Sequence, residues 1–75
     1  MRLPTQTERA LSARNRWQGQ VKRIRMDTLM AEVVLDCGGQ EVVAVITRES
    51  AEHLGLREGV DAHAVVKATE VMIER

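Results

Sequence analysis

The stretch GGQEVVAVITRESAEHLG, residues 38–55, decides the fold of this chain. It opens with Gly38-Gly39, a pair typical of a tight hairpin turn because glycine reaches the positive φ angles that such turns need. The valine-rich run Gln40–Ile46 follows, and it predicts a strand buried on both faces. Thr47 then suits a helix N-cap, and Gly55 suits the position just after a helix C-terminus. The stretch therefore predicts a hairpin, a strand and one short helix in direct succession.

The sequence on either side of this stretch is mainly of strand type. Alternation of polar and apolar residues predicts a first strand over Trp17–Met26, in which Gly19 indicates a bulge or a close backbone approach. A second strand is predicted over Leu29–Asp36, and two more follow the helix, over Asp61–Val66 and Glu70–Ile73. This order predicts an all-β fold with one short helix, as a five-stranded OB-like barrel with the helix between strands 3 and 4. An SH3-like barrel stays open as the alternative.

Length and composition set further bounds. The 75 residues suffice for one domain with one modest core. Residues 1–11 are polar and hold the only proline, so we expect a flexible arm or a linker remnant ahead of a domain at residues 12–75. Cys37 is the only cysteine, which excludes an internal disulfide, and no Cys/His spacing suits zinc. Self-association is therefore the expected source of additional burial.

The charge balance argues against several classes of partner. Eleven basic and eleven acidic residues give no net charge, and Trp17 is the only aromatic residue, so nucleic acid is not an expected partner. No apolar run approaches the roughly 20 residues that cross a bilayer, and residues 1–11 lack the apolar core of a secretory signal. We therefore expect a cytoplasmic protein with no membrane partner. No base, nucleophile and orienting group occur together, so we expect no enzyme and no catalytic cofactor.

Two short segments carry the chemistry that is most specific in the chain. Each combines a cation with a hydroxyl group, small residues and accessible backbone N–H groups, a mixture that can hold a compact oxyanion without a metal. The candidate residues are Ser12, Ala13, Arg14, Asn15, Lys67, Ala68 and Thr69. Taken singly, each segment also fits an ordinary polar lead-in or a solvated turn. In a small barrel the two can meet, within one subunit or across a subunit boundary.

These segments and the motifs between them resemble one known family. Ser-Ala-Arg-Asn at residues 12–15 precedes Gly-Gln-Val at 19–21, Ala-Glu-Val-Val-Leu at 31–35 and Val-Ile-Thr-Arg-Glu-Ser at 45–50. Leu-Gly-Leu-Arg-Glu-Gly at 54–59 and Val-Val-Lys-Ala-Thr-Glu-Val-Met-Ile at 65–73 complete the series. In this order and spacing, the motifs resemble the Mop or molbindin family of TOBE-type domains, over residues 12 to about 74.

The resemblance implies a fold, a ligand and an assembly. It implies an OB-like barrel in a homo-oligomer, a hexamer built as a trimer of dimers, that binds molybdate or tungstate between subunits for molybdenum storage, homeostasis or sensing. By motif match, residues 12–15 would come from one subunit and residues 67–69 from its partner. The alternative is a regulatory or oligomerisation domain, derived from a molybdate sensor or transporter subunit, with weak or no anion binding.

Overall fold

The computed structural model describes residues 14–75, which form one antiparallel sheet and one short helix. The elements are β1 (Arg14–Met26), β2 (Met30–Cys37), β3 (Gln40–Thr47), α1 (Arg48–His53), β4 (Asp61–Lys67) and a 3₁₀ turn (Ala68–Glu70). The strand order is β3-β2-β1-β4. β1 is long because it pairs with β4 along its first half and with β2 along its second half. β1 therefore joins β4 on one side to the β2–β3 hairpin on the other in one sheet.

The core lies on one face of this sheet. Its buried side chains are small or branched and aliphatic, and they belong to Val21, Ala31, Val33, Leu35, Ala51 and Ala64. A β-bulge interrupts the register of β1, where Val21 pairs with Leu35 and Arg23 pairs with Val34. Because the bulge adds one residue to β1, Ile24 packs against the same core as Val21. The bulge explains why polar and apolar residues stop alternating near Ile24.

Both tight connections of the β1–β2–β3 meander follow from local chemistry. Gly38 and Gly39 have φ angles of +69° and +91°, which confirms the predicted glycine turn between β2 and β3. Between β1 and β2, Asp27 Oδ1 accepts hydrogen bonds from the backbone N–H groups of Leu29 at 2.9 Å and Met30 at 2.8 Å. These two hydrogen bonds hold the pKa of the Asp27 carboxyl below its ordinary value of 3.8.

The helix begins and ends where its capping residues predict. Thr47 Oγ1 accepts a hydrogen bond from the Ser50 N–H at 3.1 Å, as an N-cap does. At the other end, Gly55 with φ +65° donates to Glu52, and Leu56 donates to the carbonyl of Ala51, both at 3.1 Å. This is a Schellman motif. Ala51 is fully buried, so the helix docks on the core through a methyl group.

Two sequence predictions are wrong for the single chain. Residues 70–73 form no strand: the 3₁₀ turn occupies Ala68–Glu70, and no regular element follows it up to residue 75. A strand needs a paired neighbour, and this segment has none among residues 14–75. The sheet described there consequently has four strands, not five. β3 is not buried on both faces either, because Val43 and Val45 are 56% and 64% exposed.

Candidate anion-binding site

The candidate cations Arg14 and Lys67 lie directly opposite each other across β1 and β4 of the same chain. Arg14 is the first residue of β1, and Lys67 is the last residue of β4. Side chains directly opposite in an antiparallel pair leave the same face of the sheet, with Cβ atoms about 4.5–5.5 Å apart. The fold thus brings together two cations that lie near opposite ends of the sequence. Both side chains are exposed.

Two like charges in this arrangement repel each other, which favours an anion between them. The ion pairs found among residues 14–75 are Lys22–Glu41 and Arg48–Glu52, and neither involves the two facing cations. Glu70 is the nearest carboxylate along the chain after Lys67, and it is exposed and forms no ion pair in the same part of the chain. No carboxylate of the described residues therefore neutralises the two cations, and they are available to bind an anion from solution.

Arg16 belongs to the same face, although the sequence motifs did not single it out. It stands two positions after Arg14 in β1, and side chains two apart in a strand share a face. It pairs with Val65, so Lys67 is its diagonal neighbour on β4. Arg16 is exposed as well. The two-residue periodicity of a strand, applied from Arg14 onward, would have identified Arg16 from the sequence.

The 3₁₀ turn supplies the remaining donors of this end of the sheet. Ala68 and Thr69 are its first two residues and are exposed. The first N–H groups of a helical turn have no acceptor inside it, and no side chain caps this turn. The Thr69 hydroxyl adds a further donor within two residues of Lys67. Charge, hydroxyl and amide donors are thus concentrated over three consecutive residues.

Not every candidate residue shares this face. Asn15 pairs with Val66 and is half-buried, and because successive strand residues point to opposite faces, its side chain leaves the sheet on the face opposite to Arg14. Ser12 and Ala13 lie outside the described residues. A single chain therefore assembles the cations and the 3₁₀ turn, while the amide of Asn15 is directed to the other side of the sheet.

Two features were sought among residues 14–75: a cluster of metal-ligating side chains and a helix long enough to span a membrane. Within residues 14–75, no three His, Cys, Asp or Glu side chains are grouped so that they could hold a metal ion. In the same range, no helix has the length and apolar character needed to cross a membrane. This end of the sheet offers cationic and neutral hydrogen-bond donors, which suit an anion.

The sequence motifs and this fold together define a class. The TOBE domain family matches residues 11–73, so the chain belongs to that family. It is 42% identical over 65 residues to molybdenum-pterin-binding protein 1 of Clostridium pasteurianum, and the match covers 85% of this chain and 96% of that protein.

Solved structures agree with the sequence comparison. The molybdate-binding protein from Sporomusa ovata superimposes with a TM-score of 0.81 at 42% identity, covering 85% of this chain and 96% of that one. The cytoplasmic molybdate-binding protein ModG, solved with molybdate bound, gives a TM-score of 0.73 at 45% identity, covering 76% of this chain and 41% of ModG. These similar proteins are binding proteins rather than enzymes by name.

Proposed function

We propose that this protein binds molybdate as a non-enzymatic oxyanion carrier, with Arg14 and Lys67 as the cationic centre of the site. The observation that carries the proposal is their direct opposition across β1 and β4, with no carboxylate partner among residues 14–75. The chain that carries this arrangement is also similar to the molybdate-binding protein from Sporomusa ovata, at 42% identity and a TM-score of 0.81. Molybdate supplies the negative charge that this pair of cations lacks.

The donor set fits the chemistry of the ligand. Molybdate is a tetrahedral dianion whose four oxygens accept hydrogen bonds and donate none. Two cations balance its charge, and hydroxyl and amide donors fix its orientation. We assign Arg14 and Lys67 to charge balance, and Ser12, Thr69 and the amides of Ala13 and Ala68 to hydrogen bonding.

Asn15 indicates how the complete site is assembled. Its side chain leaves β1 on the face away from Arg14, so one chain does not present both to one ligand. We infer that sites lie between subunits, where the facing Arg14 and Lys67 of one copy meet donors from the 12–15 and 67–69 segments of another copy around each anion. A hexamer arranged as a trimer of dimers provides such boundaries. Tungstate has the same charge and shape and is expected to bind as well.

The cellular role follows from this chemistry. A carrier without catalytic groups serves molybdenum storage, homeostasis or sensing, and ModG, to which the chain is similar, is a cytoplasmic molybdate-binding protein. We accordingly place this protein in the cytoplasm. A second role is favoured by one observation: the match covers only 41% of ModG, so such domains also occur within longer chains. In that role the domain regulates or oligomerises, with weak or no anion binding.

Calorimetry with molybdate, tungstate and sulfate tests the proposal. Replacing one charged donor to a bound anion costs about 1.5–3 kcal/mol, so Lys67→Ala is expected to weaken molybdate binding roughly 10- to 150-fold. Arg25→Ala is the matched control, because Arg25 is an exposed cation at the far end of β1 and is expected to leave the affinity unchanged.

Three results would contradict the proposal. They are equal affinity for sulfate and molybdate, no heat at micromolar molybdate, and equal losses in the Lys67→Ala and Arg25→Ala proteins. A native mass spectrum with and without molybdate separates the two roles, because a dimer that binds no anion supports the regulatory one. The same spectrum reports the number of subunits and of bound anions.

A further inference from the structure

A third cation, Arg16, accompanies Arg14 and Lys67 on the outer face of β1 and β4, the face directed away from the core residues Val21 and Ala64. Two positions along a strand span about 6.5 Å, which is the spacing of Arg14 and Arg16. Lys67 lies directly opposite Arg14 and diagonally from Arg16, at roughly 7–8 Å. All three side chains are exposed. They form a triangle whose charged ends can converge on one small anion.

No carboxylate stands beside Arg16 on the outer face of these two strands. Val65 lies directly opposite it, and the next positions on this face are occupied by Gln18, His63, Arg14 and Lys67. The first carboxylate on this face of β1 and β4 is that of Asp61, which lies opposite Gln20 and accepts a hydrogen bond from its Nε2 at 3.4 Å. Arg16 also takes part in no ion pair among residues 14–75. Its charge is therefore not neutralised by the described part of the chain.

Two cations in the second half of β1 differ in this respect. Lys22 Nζ forms an ion pair with Glu41 at 2.6 Å, and Arg25 lies directly opposite Glu32 of β2. Opposite charges in such cross-strand positions stabilise a sheet. Arg16 has no such role in the β1–β4 pairing, because its opposite residue is a valine. Its charge is instead placed at the end of the sheet where the 3₁₀ turn supplies further hydrogen-bond donors.

We propose that Arg16 is a third cationic binding residue of the anion site and that it selects doubly charged over singly charged tetrahedral oxyanions. The inference rests on the proposed function and adds a specificity determinant to it. Arg14 and Lys67 already match the charge of a dianion, so the charge of Arg16 comes in excess. Coulomb energy is proportional to the product of the charges, so Arg16 attracts a dianion about twice as strongly as a monoanion of equal size.

Molybdate and perrhenate separate the effect of charge from that of shape. Both are tetrahedral oxyanions of similar size, but molybdate carries two charges and perrhenate carries one. Calorimetry at low ionic strength, where screening is weakest, measures the affinity for molybdate, and displacement of bound molybdate measures that for perrhenate. Arg16→Gln removes the charge and keeps a hydrogen-bonding side chain. It is expected to weaken molybdate binding roughly 10-fold and perrhenate binding by the square root of that factor, roughly threefold.

Two variants serve as controls for the loss of charge. Arg16→Lys retains the charge and is expected to recover most of the affinity for molybdate. Arg25→Gln is the matched control, because Arg25 is also exposed but lies opposite Glu32, and it is expected to leave both affinities unchanged. Thermal midpoints of the three variants close to that of the parent show that the fold is intact.

Three results would overturn the inference while the proposed function stands. The first is an Arg16→Gln protein that binds molybdate as tightly as the parent. The second is an equal fold-loss for molybdate and perrhenate, which indicates that Arg16 shapes the cavity rather than selecting by charge. The third applies even where perrhenate displaces no molybdate: equal molybdate affinity of the Arg16→Lys and Arg16→Gln proteins. A parent protein that binds neither anion would instead refute the proposed function, and this inference with it.

Discussion

Gly19→Ala is the sharpest test of how closely β1 approaches the end of β2. A Cβ atom added at Gly19 would lie 2.6 Å from the carbonyl oxygen of Asp36 and 2.6 Å from Sγ of Cys37. Both distances are far shorter than van der Waals contact, which is about 3.5–4.0 Å between carbon atoms. The structure therefore confirms the close backbone approach that a glycine in the middle of a strand predicts.

The magnitude follows from two opposing effects. Forcing an extra methyl group into a filled site costs about 1–3 kcal/mol. Alanine in place of glycine recovers about 0.4–1 kcal/mol by restricting the unfolded chain. The difference spans about 0–2.6 kcal/mol. Because one clash is with the backbone of Asp36, which cannot rotate away, a net loss in the upper half of this range, about 1.3–2.6 kcal/mol, is expected. Such a loss lowers the thermal midpoint by roughly 5–21 °C in a domain of this size.

The assay is thermal and urea unfolding at one fixed protein concentration, because the stability of an oligomer depends on concentration. Cys37→Ala, alone and combined with Gly19→Ala, completes a double-mutant cycle. Removal of Sγ eliminates one of the two clashes and leaves the clash with the backbone carbonyl of Asp36. The cycle is thus expected to show partial rescue. Full rescue, or a Gly19→Ala protein as stable as the parent, would refute the argument from backbone contact.

Two further predictions concern the turn between β1 and β2 and the N-terminus of α1. Asp27→Asn is expected to destabilise the protein at neutral pH, because the carboxylate of Asp27 accepts two backbone hydrogen bonds that lower its pKa from 3.8. Since the folded-state pKa is depressed, this stability is present above pH 3.8 and is lost as pH falls through the folded pKa, so unfolding curves of parent and variant should converge in acid. Thr47→Ala removes the N-cap of α1 and is expected to cost about 0.5–2 kcal/mol, whereas Thr47→Ser should retain most of it. Urea unfolding checks both, and equal costs for the Ala and Ser variants would contradict the capping argument.

Local chemistry made part of this fold predictable from the sequence. The turn at Gly38-Gly39 depends on positive φ angles, and the helix ends at Thr47 and Gly55 depend on capping contacts within a few residues. Each is decided by neighbours in the chain, so a residue pattern is enough to find it. The break in β1 near Ile24 was visible too, but the bulge that causes it depends on the register against β2.

The candidate site was predictable only as two separate segments. Residue types marked Arg14 and Lys67 as anion donors, but their direct opposition depends on the pairing of β1 with β4, which no local pattern specifies. The same pairing adds Arg16 to the cationic face and directs Asn15 away from it. Strand register, rather than composition, therefore decides which donors can reach one ligand.

The predictions that the single chain contradicts share one physical cause. The sequence predicts burial on both faces of β3 and a strand over residues 70–73, yet Val43, Val45, Met72 and Ile73 are all exposed. In residues 14–75 the largest buried side chain is that of Leu35, and no large side chain is fully buried. So small a core leaves a domain of this length marginal, and added apolar burial is the usual remedy. The exposed residues are those that both patterns predict to be buried, so additional apolar burial at β3 and at residues 72–73 would satisfy both predictions.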